Sequence, residues 1–155
     1  VKDSKRIIGI DPGVTSGVAI IEYSKDFICL ENAFTLRKIE EGEQGEQLYI
    51  GLYRLLPYIK SCDMLIYEGF HNSSITKYAK ITLEIIGIVK YMTYTLDKEI
   101  IVVEQMPSVR TGYLKLSNDF LKLHKVKNKH HIKDATAHIL RYINKEDGIN
   151  VQTII

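Results

Sequence analysis

The reading of the fold turns on Ile7-Ile8-Gly9-Ile10-Asp11-Pro12-Gly13-Val14-Thr15-Ser16-Gly17-Val18-Ala19-Ile20-Ile21. Residues 7–10 form a short apolar run that ends at Asp11, and Pro12-Gly13 cannot continue a central strand, because proline has no N–H for the ladder. A second apolar run, residues 17–23, follows closely, so the two predict an antiparallel hairpin. The sheet would hold the carboxylate of Asp11 in place, and the small residues from Val14 to Gly17 leave room for something to approach it. Taken alone, Asp11-Pro12-Gly13 is also a common turn former in which the acid only caps backbone amides.

Working outward, residues 27–36 supply a third strand of mixed pattern. Leu48, Leu52, Leu55, Leu56 and Ile59 recur at helical spacing and predict a helix over residues 43–60, with Pro57 stopping or kinking it near its end. Residues 64–67 are a compact strand that closes on Glu68-Gly69. The longest helical segment spans residues 73–96, with Ser73 or Ser74 as its cap. Tyr78, Ile81, Ile85, Ile86, Val89, Met92 and Leu96 cover more than one face of it, as in a helix buried on several sides, so part of it is expected to face a second subunit in a homodimer. Residues 100–103 form a fifth strand, stopped by Gln105-Met106-Pro107. An irregular basic region is expected over residues 110–129, and a last helix over residues 131–144. Three strands followed by alternating helices and strands predict a mixed five-stranded α/β sheet with helices on both faces.

A chain of 155 residues fits one domain spanning residues 1–155, and 45% hydrophobic with 26% charged residues is the balance of an ordinary globular protein. Cys29 and Cys62 are too few and too far apart for a disulfide scaffold or a zinc knuckle; both are expected to be small core residues in a reduced compartment. The opening residues have no signal-peptide pattern and no apolar run reaches the roughly 18 residues of a membrane span, so the expected setting is the cytoplasm. The net charge of +2 is unevenly distributed: residues 1–104 hold 12 basic and 15 acidic side chains, and residues 105–145 hold nine and two. Such a basic segment suits a polyanionic partner, although a solvated lysine-rich loop would look the same.

Two further places carry acids suited to chemistry. Glu68 stands where the fourth strand hands over to a loop, so it meets Asp11 at one end of the sheet if the first and fourth strands are neighbours. Two carboxylates held close repel unless a cation lies between them, which implies a divalent metal. In His131-Ile132-Lys133-Asp134-Ala135, helical spacing places His131, Asp134 and His138 on one face, beside the apolar stripe of Ile132, Ala135, Ile139 and Ile143. His130 lies about 40° further round than the face of Asp134, which favours His131 over its neighbour, while His138 is a turn further from the helix start and is ranked as supporting or structural.

Gly9-Ile10-Asp11-Pro12-Gly13 with Gly17, Tyr67-Glu68-Gly69 and His131-Ile132-Lys133-Asp134-Ala135 together resemble the site of RuvC-type Holliday junction resolvases of the ribonuclease H-like superfamily. Small size and the patterns Glu84-Ile85-Ile86-Gly87 and Gln105-Met106-Pro107-Ser108 look most like the phage-encoded branch, which would place the protein in the cytoplasm of a bacterial or phage-infected cell. The resemblance implies a ribonuclease H-like fold and a structure-selective endonuclease of DNA recombination and repair, which cuts branched DNA with two Mg²⁺ ions (or Mn²⁺) per site. Asp11 would then bridge both ions, Glu68 would hold one and Asp134 the other, with His131 as the histidine version of a position that relatives also fill with an acid. Products would be a 5′-phosphate and a 3′-hydroxyl. Lys115, Lys122, Lys125, Lys127 and Lys129 would contact the DNA backbone, giving affinity without sequence preference. No aromatic wedge for opening a junction is evident; Phe70 and Tyr113 are candidates, and a core role suits either.

Three other readings compete. The turn after the first strand is similar to the phosphate-binding turn of sugar kinases and actin-like ATPases, which need two such domains and a far longer chain. An RNA-processing nuclease would keep the fold and change the substrate. A non-catalytic nucleic-acid-binding module would be expected to lack one of the three acids, and all are present.

Overall fold

The computed structural model describes residues 4–40, 42–70, 76–127 and 130–154. Strands β1 (Lys5–Asp11), β2 (Gly17–Tyr23) and β3 (Ile28–Thr35) form an antiparallel meander, and β4 (Met64–Glu68) and β5 (Ile101–Gln105) extend it in parallel from β1. The sheet order is β3-β2-β1-β4-β5, the mixed five-stranded arrangement expected from the alternation of elements.

Ile7, Ala19, Ile21 and Ile66 point to one side of the sheet and Ile8, Ile10, Ile20 and Leu65 to the other, so successive residues feed two cores. The second set packs under α1 (Glu46–Leu52), α2 (Leu56–Ser61) and α3 (Lys77–Tyr94), through Leu48, Leu52, Leu55, Ile59, Ile85, Val89 and Met92. The first set packs under α4 (Leu114–Leu123) and α5 (His130–Lys145), through Phe120, Ala135, Ile139, Leu140 and Ile143, with the short α6 (Val151–Ile154) closing the edge. Among the described residues no helix is long and apolar enough to cross a membrane.

Four expectations need correction. The helix over residues 43–60 is not continuous: α1 starts after Gly45, whose φ is 57°, and a 3₁₀ turn, Tyr53–Leu55, separates α1 from α2. Pro57 lies in the first turn of α2, where a missing N–H leaves no carbonyl unpaired, so it begins a helix and does not end one. The region over residues 110–129 is largely ordered helix, a 3₁₀ segment Pro107–Tyr113 followed by α4. Its lysines hid the helical spacing of Ser117, Phe120 and Leu121, which are the residues α4 buries. Cys29 is exposed on β3 and only Cys62 is a core residue. The caps expected for the long helix, Ser73 and Ser74, lie outside the described residues; Thr76 caps α3 by accepting from the Ala79 N–H at 3.2 Å.

Helix α5 lies unusually close to the first hairpin. A Cβ at Gly9 would come within 2.7 Å of Ile139 and 2.8 Å of the Ala135 carbonyl, and one at Gly17 within 2.2 Å of the His131 backbone. Both glycines are required by this approach, and it brings the start of α5 to the ends of β1 and β2.

Candidate active site

Asp11 is the last residue of β1 and Glu68 the last of β4. These strands run parallel with Ile10 opposite Tyr67, so the two acids leave the sheet side by side. β5 ends level with them, Gln105 pairing with Glu68. From the neighbouring helix face, α5 adds His131 and Asp134, one turn apart, on its side facing the strand ends. Asp11, Glu68, Arg110, His130, His131 and Asp134, together with the turn at residues 12–15, line one groove of ≈ 370 Å³.

The carboxylates of this groove are largely withdrawn from water: the side chains of Asp11, Glu68 and Asp134 are 13%, 15% and 14% exposed. Their mutual repulsion is therefore poorly screened, and each is met by a donor. His131 Nδ1 lies 3.1 Å from Asp11 Oδ2. Burial pushes the Asp11 carboxyl above its ordinary range, opposed by the His131 hydrogen bond and assisted by the charge of Asp134. Arg110, carried by the 3₁₀ segment after β5, pairs with Glu68 Oε2 and reaches to 3.7 Å from Asp134 Oδ2. A guanidinium thus stands between two of the acids.

The donor set of three carboxylates and one imidazole suits a hard divalent cation such as Mg²⁺ or Mn²⁺. The arrangement as it stands is not a closed cage, since among the described residues no three His, Cys, Asp or Glu side chains are grouped to hold an ion. Arg110 already supplies a positive charge between Glu68 and Asp134, so the groove is built to hold cationic charge at this point.

The structure brings together Asp11, Glu68, His131 and Asp134, all four residues singled out from sequence. His130 is exposed beside His131, ring centroids 4.8 Å apart, and lines the same groove, in which it is His131 that is hydrogen-bonded to Asp11. Lys115 and Lys122 are exposed on α4, and Lys125 and Lys127 are exposed in the turn after it; none lines the groove, and Lys129 lies outside the described residues. Tyr113 packs against the core under α4 and α5, with its hydroxyl donating to Asn144 Oδ1 at 2.6 Å, which fits the core role. Phe70 is half-buried.

Sequence reasoning missed Arg110 as a groove residue, because its charge was absorbed into the basic segment. It also missed Gln105, which contacts His138 behind Glu68. The available signal was positional. If β5 lies beside β4 in parallel, the residue that ends β5 must lie against Glu68, and whatever follows it passes over the same end of the sheet.

No protein-family model matches the sequence, and no curated protein sequence does. The folded chain is similar to Thermus thermophilus RuvC in complex with a Holliday junction substrate, with a TM-score of 0.77 at 16% identity over 93% of this chain and 96% of that one. It is also similar to a second Thermus thermophilus RuvC structure, with a TM-score of 0.69 at 15% identity over 93% and 97%. The fowlpox virus Holliday junction resolvase aligns with a TM-score of 0.59 at 18% identity over 90% and 98%. With nearly the full length of each chain aligned, this chain has the fold seen in these RuvC and Holliday junction resolvase structures.

Proposed function

We propose that this protein is a divalent-metal-dependent endonuclease that hydrolyses phosphodiesters in branched DNA such as four-way junctions, acting as a homodimer. The observation that carries the reading is the convergence of Asp11, Glu68, His131 and Asp134 on one groove at the strand ends, in a chain with the resolvase fold.

Asp11, Glu68 and Asp134 would hold the cation, with His131 as a further ligand or as the partner of the attacking water. When bound, the metal would neutralise charge on the phosphodiester and make a water nucleophilic near neutral pH. The chain's own contribution is positional. The parallel β1–β4 pair fixes the separation of Asp11 and Glu68, and α5 fixes Asp134 against them. The His131 imidazole orients Asp11 through Oδ2. Arg110, which now meets Glu68 and Asp134, would offer its guanidinium to a DNA phosphate if those acids held a cation. The exposed lysines of α4 and its following turn provide backbone affinity away from the cut.

The homodimer reading is supported by α3, whose residues Leu83, Gly87, Tyr91 and Tyr94 share an exposed stripe opposite the buried Ile85, Val89 and Met92. Two copies joined there would present two sites to two opposing strands of one junction.

The test is cleavage of matched labelled substrates (four-way junction, flap, linear duplex and RNA hairpin) with Mg²⁺ or Mn²⁺. Cutting of the junction in preference to the linear duplex is expected. Preference for the RNA hairpin would move the reading to RNA processing, and binding without cutting in either metal would leave only a nucleic-acid-binding module.

A further inference from the structure

His138 is fully buried on α5, one turn beyond Asp134, in a position that otherwise belongs to an apolar core. Its Nε2 lies 2.9 Å from Glu68 Oε2 and its Nδ1 lies 2.9 Å from Gln105 Oε1. Both partners are acceptors, whereas a neutral imidazole has a single N–H to share between them. One of the two contacts would then set two lone pairs against each other at 2.9 Å in a buried site. Among the described residues, the buried side-chain nitrogen or oxygen left without a partner is Gln105 Nε2, on the same amide.

Two states remove the conflict. An imidazolium could donate to both acceptors, but it would bury a second cation against the Glu68 oxygen that the Arg110 guanidinium already meets. It would also leave both N–H bonds of Gln105 Nε2 unpaired, whereas exchanging the amide atoms pairs one of them. The other state turns the Gln105 amide about its last bond, exchanging its oxygen and nitrogen, which the hydrogen-bond network alone distinguishes. Nε2 then donates to His138 Nδ1, and the imidazole proton on Nε2 faces Glu68.

We propose that Gln105 and His138 are positioning residues for Glu68. Gln105 Nε2–H donates to His138 Nδ1 and so keeps the imidazole in its Nε2–H form, which donates to Glu68 Oε2 and fixes the orientation of that carboxylate. Each link lies on a separate element (β5, α5 and β4), so the relay ties the three together directly behind the groove. What Glu68 is fixed for rests on the nuclease reading above; the hydrogen-bond directions do not.

The experiment starts on the whole, metal-free protein. Long-range ¹H–¹⁵N correlation of the imidazoles near pH 7 should show His138 protonated at Nε2 and bare at Nδ1. Protonation at Nδ1 alone, or at both nitrogens, overturns the relay without any variant being made. Gln105→Glu, whose ionised carboxylate accepts and cannot donate, should place a proton on Nδ1 and weaken Mn²⁺ binding measured by calorimetry about tenfold, the usual effect of removing a residue that orients a metal ligand. His138→Gln, whose amide can still donate to Glu68, should retain more Mn²⁺ affinity than His138→Leu. If Gln105→Glu leaves both the tautomer and the Mn²⁺ affinity unchanged, Gln105 has no part in positioning Glu68. A wild-type protein with the Nε2–H form that binds no Mn²⁺ and cuts no DNA keeps the relay and overturns the nuclease reading.

Discussion

Helices α3 and α5 lie on opposite faces of the same sheet and solve different problems. α5 buries Ile132, Ala135, Thr136, Ala137, His138, Ile139, Leu140 and Ile143, and its polar side chains at the sheet end are spoken for by Asp11, Arg110 and Glu68. α3 buries one stripe and leaves Leu83, Tyr91 and Tyr94 exposed at 46%, 61% and 73%. Glycine differs in the same way. Gly9 and Gly17 let α5 touch the sheet at backbone distance, whereas Gly87 on α3 faces open space. On the proposed reading, the contrast separates a helix placed for chemistry, where small displacements would move ligands, from a helix whose exposed outer face is offered to a second copy.

The largest effect is expected where α5 meets the sheet. Asp11→Asn should reduce junction cleavage more than tenfold while leaving junction binding in place, because losing a metal ligand costs several kcal/mol of barrier, on the order of 10²-fold or more in rate. Activity above a tenth of wild type under saturating Mg²⁺ would remove Asp11 from the machinery. Next, His131→Ala should cost at least about tenfold more in rate than His130→Ala, since His131 contacts Asp11 and His130 does not. Equal losses in parallel assays would mean that the two histidines had been misassigned.

Stability should then divide the two helices by sign. Gly17→Ala drives a methyl group into the His131 backbone and should destabilise the fold by about 1–3 kcal/mol in urea titration. Gly87→Ala meets nothing within 4 Å and should raise stability by up to about 1 kcal/mol through helix propensity. If α3 packs closely against a second copy, the same Gly87→Ala should weaken association measured by sedimentation. A wild-type protein that sediments as a monomer at tens of micromolar would reduce α3 to an exposed apolar face with no partner in its own kind.

Much of the fold could be read from the sequence because its signals are local. Asp11-Pro12-Gly13 between two apolar runs specifies a hairpin whatever surrounds it, and α5 was placed within one residue at each end by the spacing of Ile132, Ala135, Ile139 and Ile143. α4 was missed because its buried residues are separated by lysines that dominate any reading by charge. Pro57 was misplaced because proline is compatible with either end of a helix, and only the upstream 3₁₀ turn decides which. The candidate site was legible as residue types, since Asp11, Glu68, His131 and Asp134 each sit in a short recognisable context. Behind it, His138 could be read on the helix face of Asp134, but Gln105 and Arg110 could not: they come to the Glu68 end of the sheet through the β4–β5 register, a long-range property that no local pattern records.

The guanidinium between Glu68 and Asp134 has a practical consequence for handling the protein. Proteins that rely on a metal to hold their acids together lose structure in chelating buffers, because the ion is part of the fold. Here Arg110 provides an internal counter-charge to two of the acids, and His131 meets the third. Dialysis against EDTA should therefore leave the melting temperature within a degree or two of its starting value, while abolishing cleavage until Mg²⁺ is restored. The metal-free protein can on this account be stored, titrated and crystallised as a folded species.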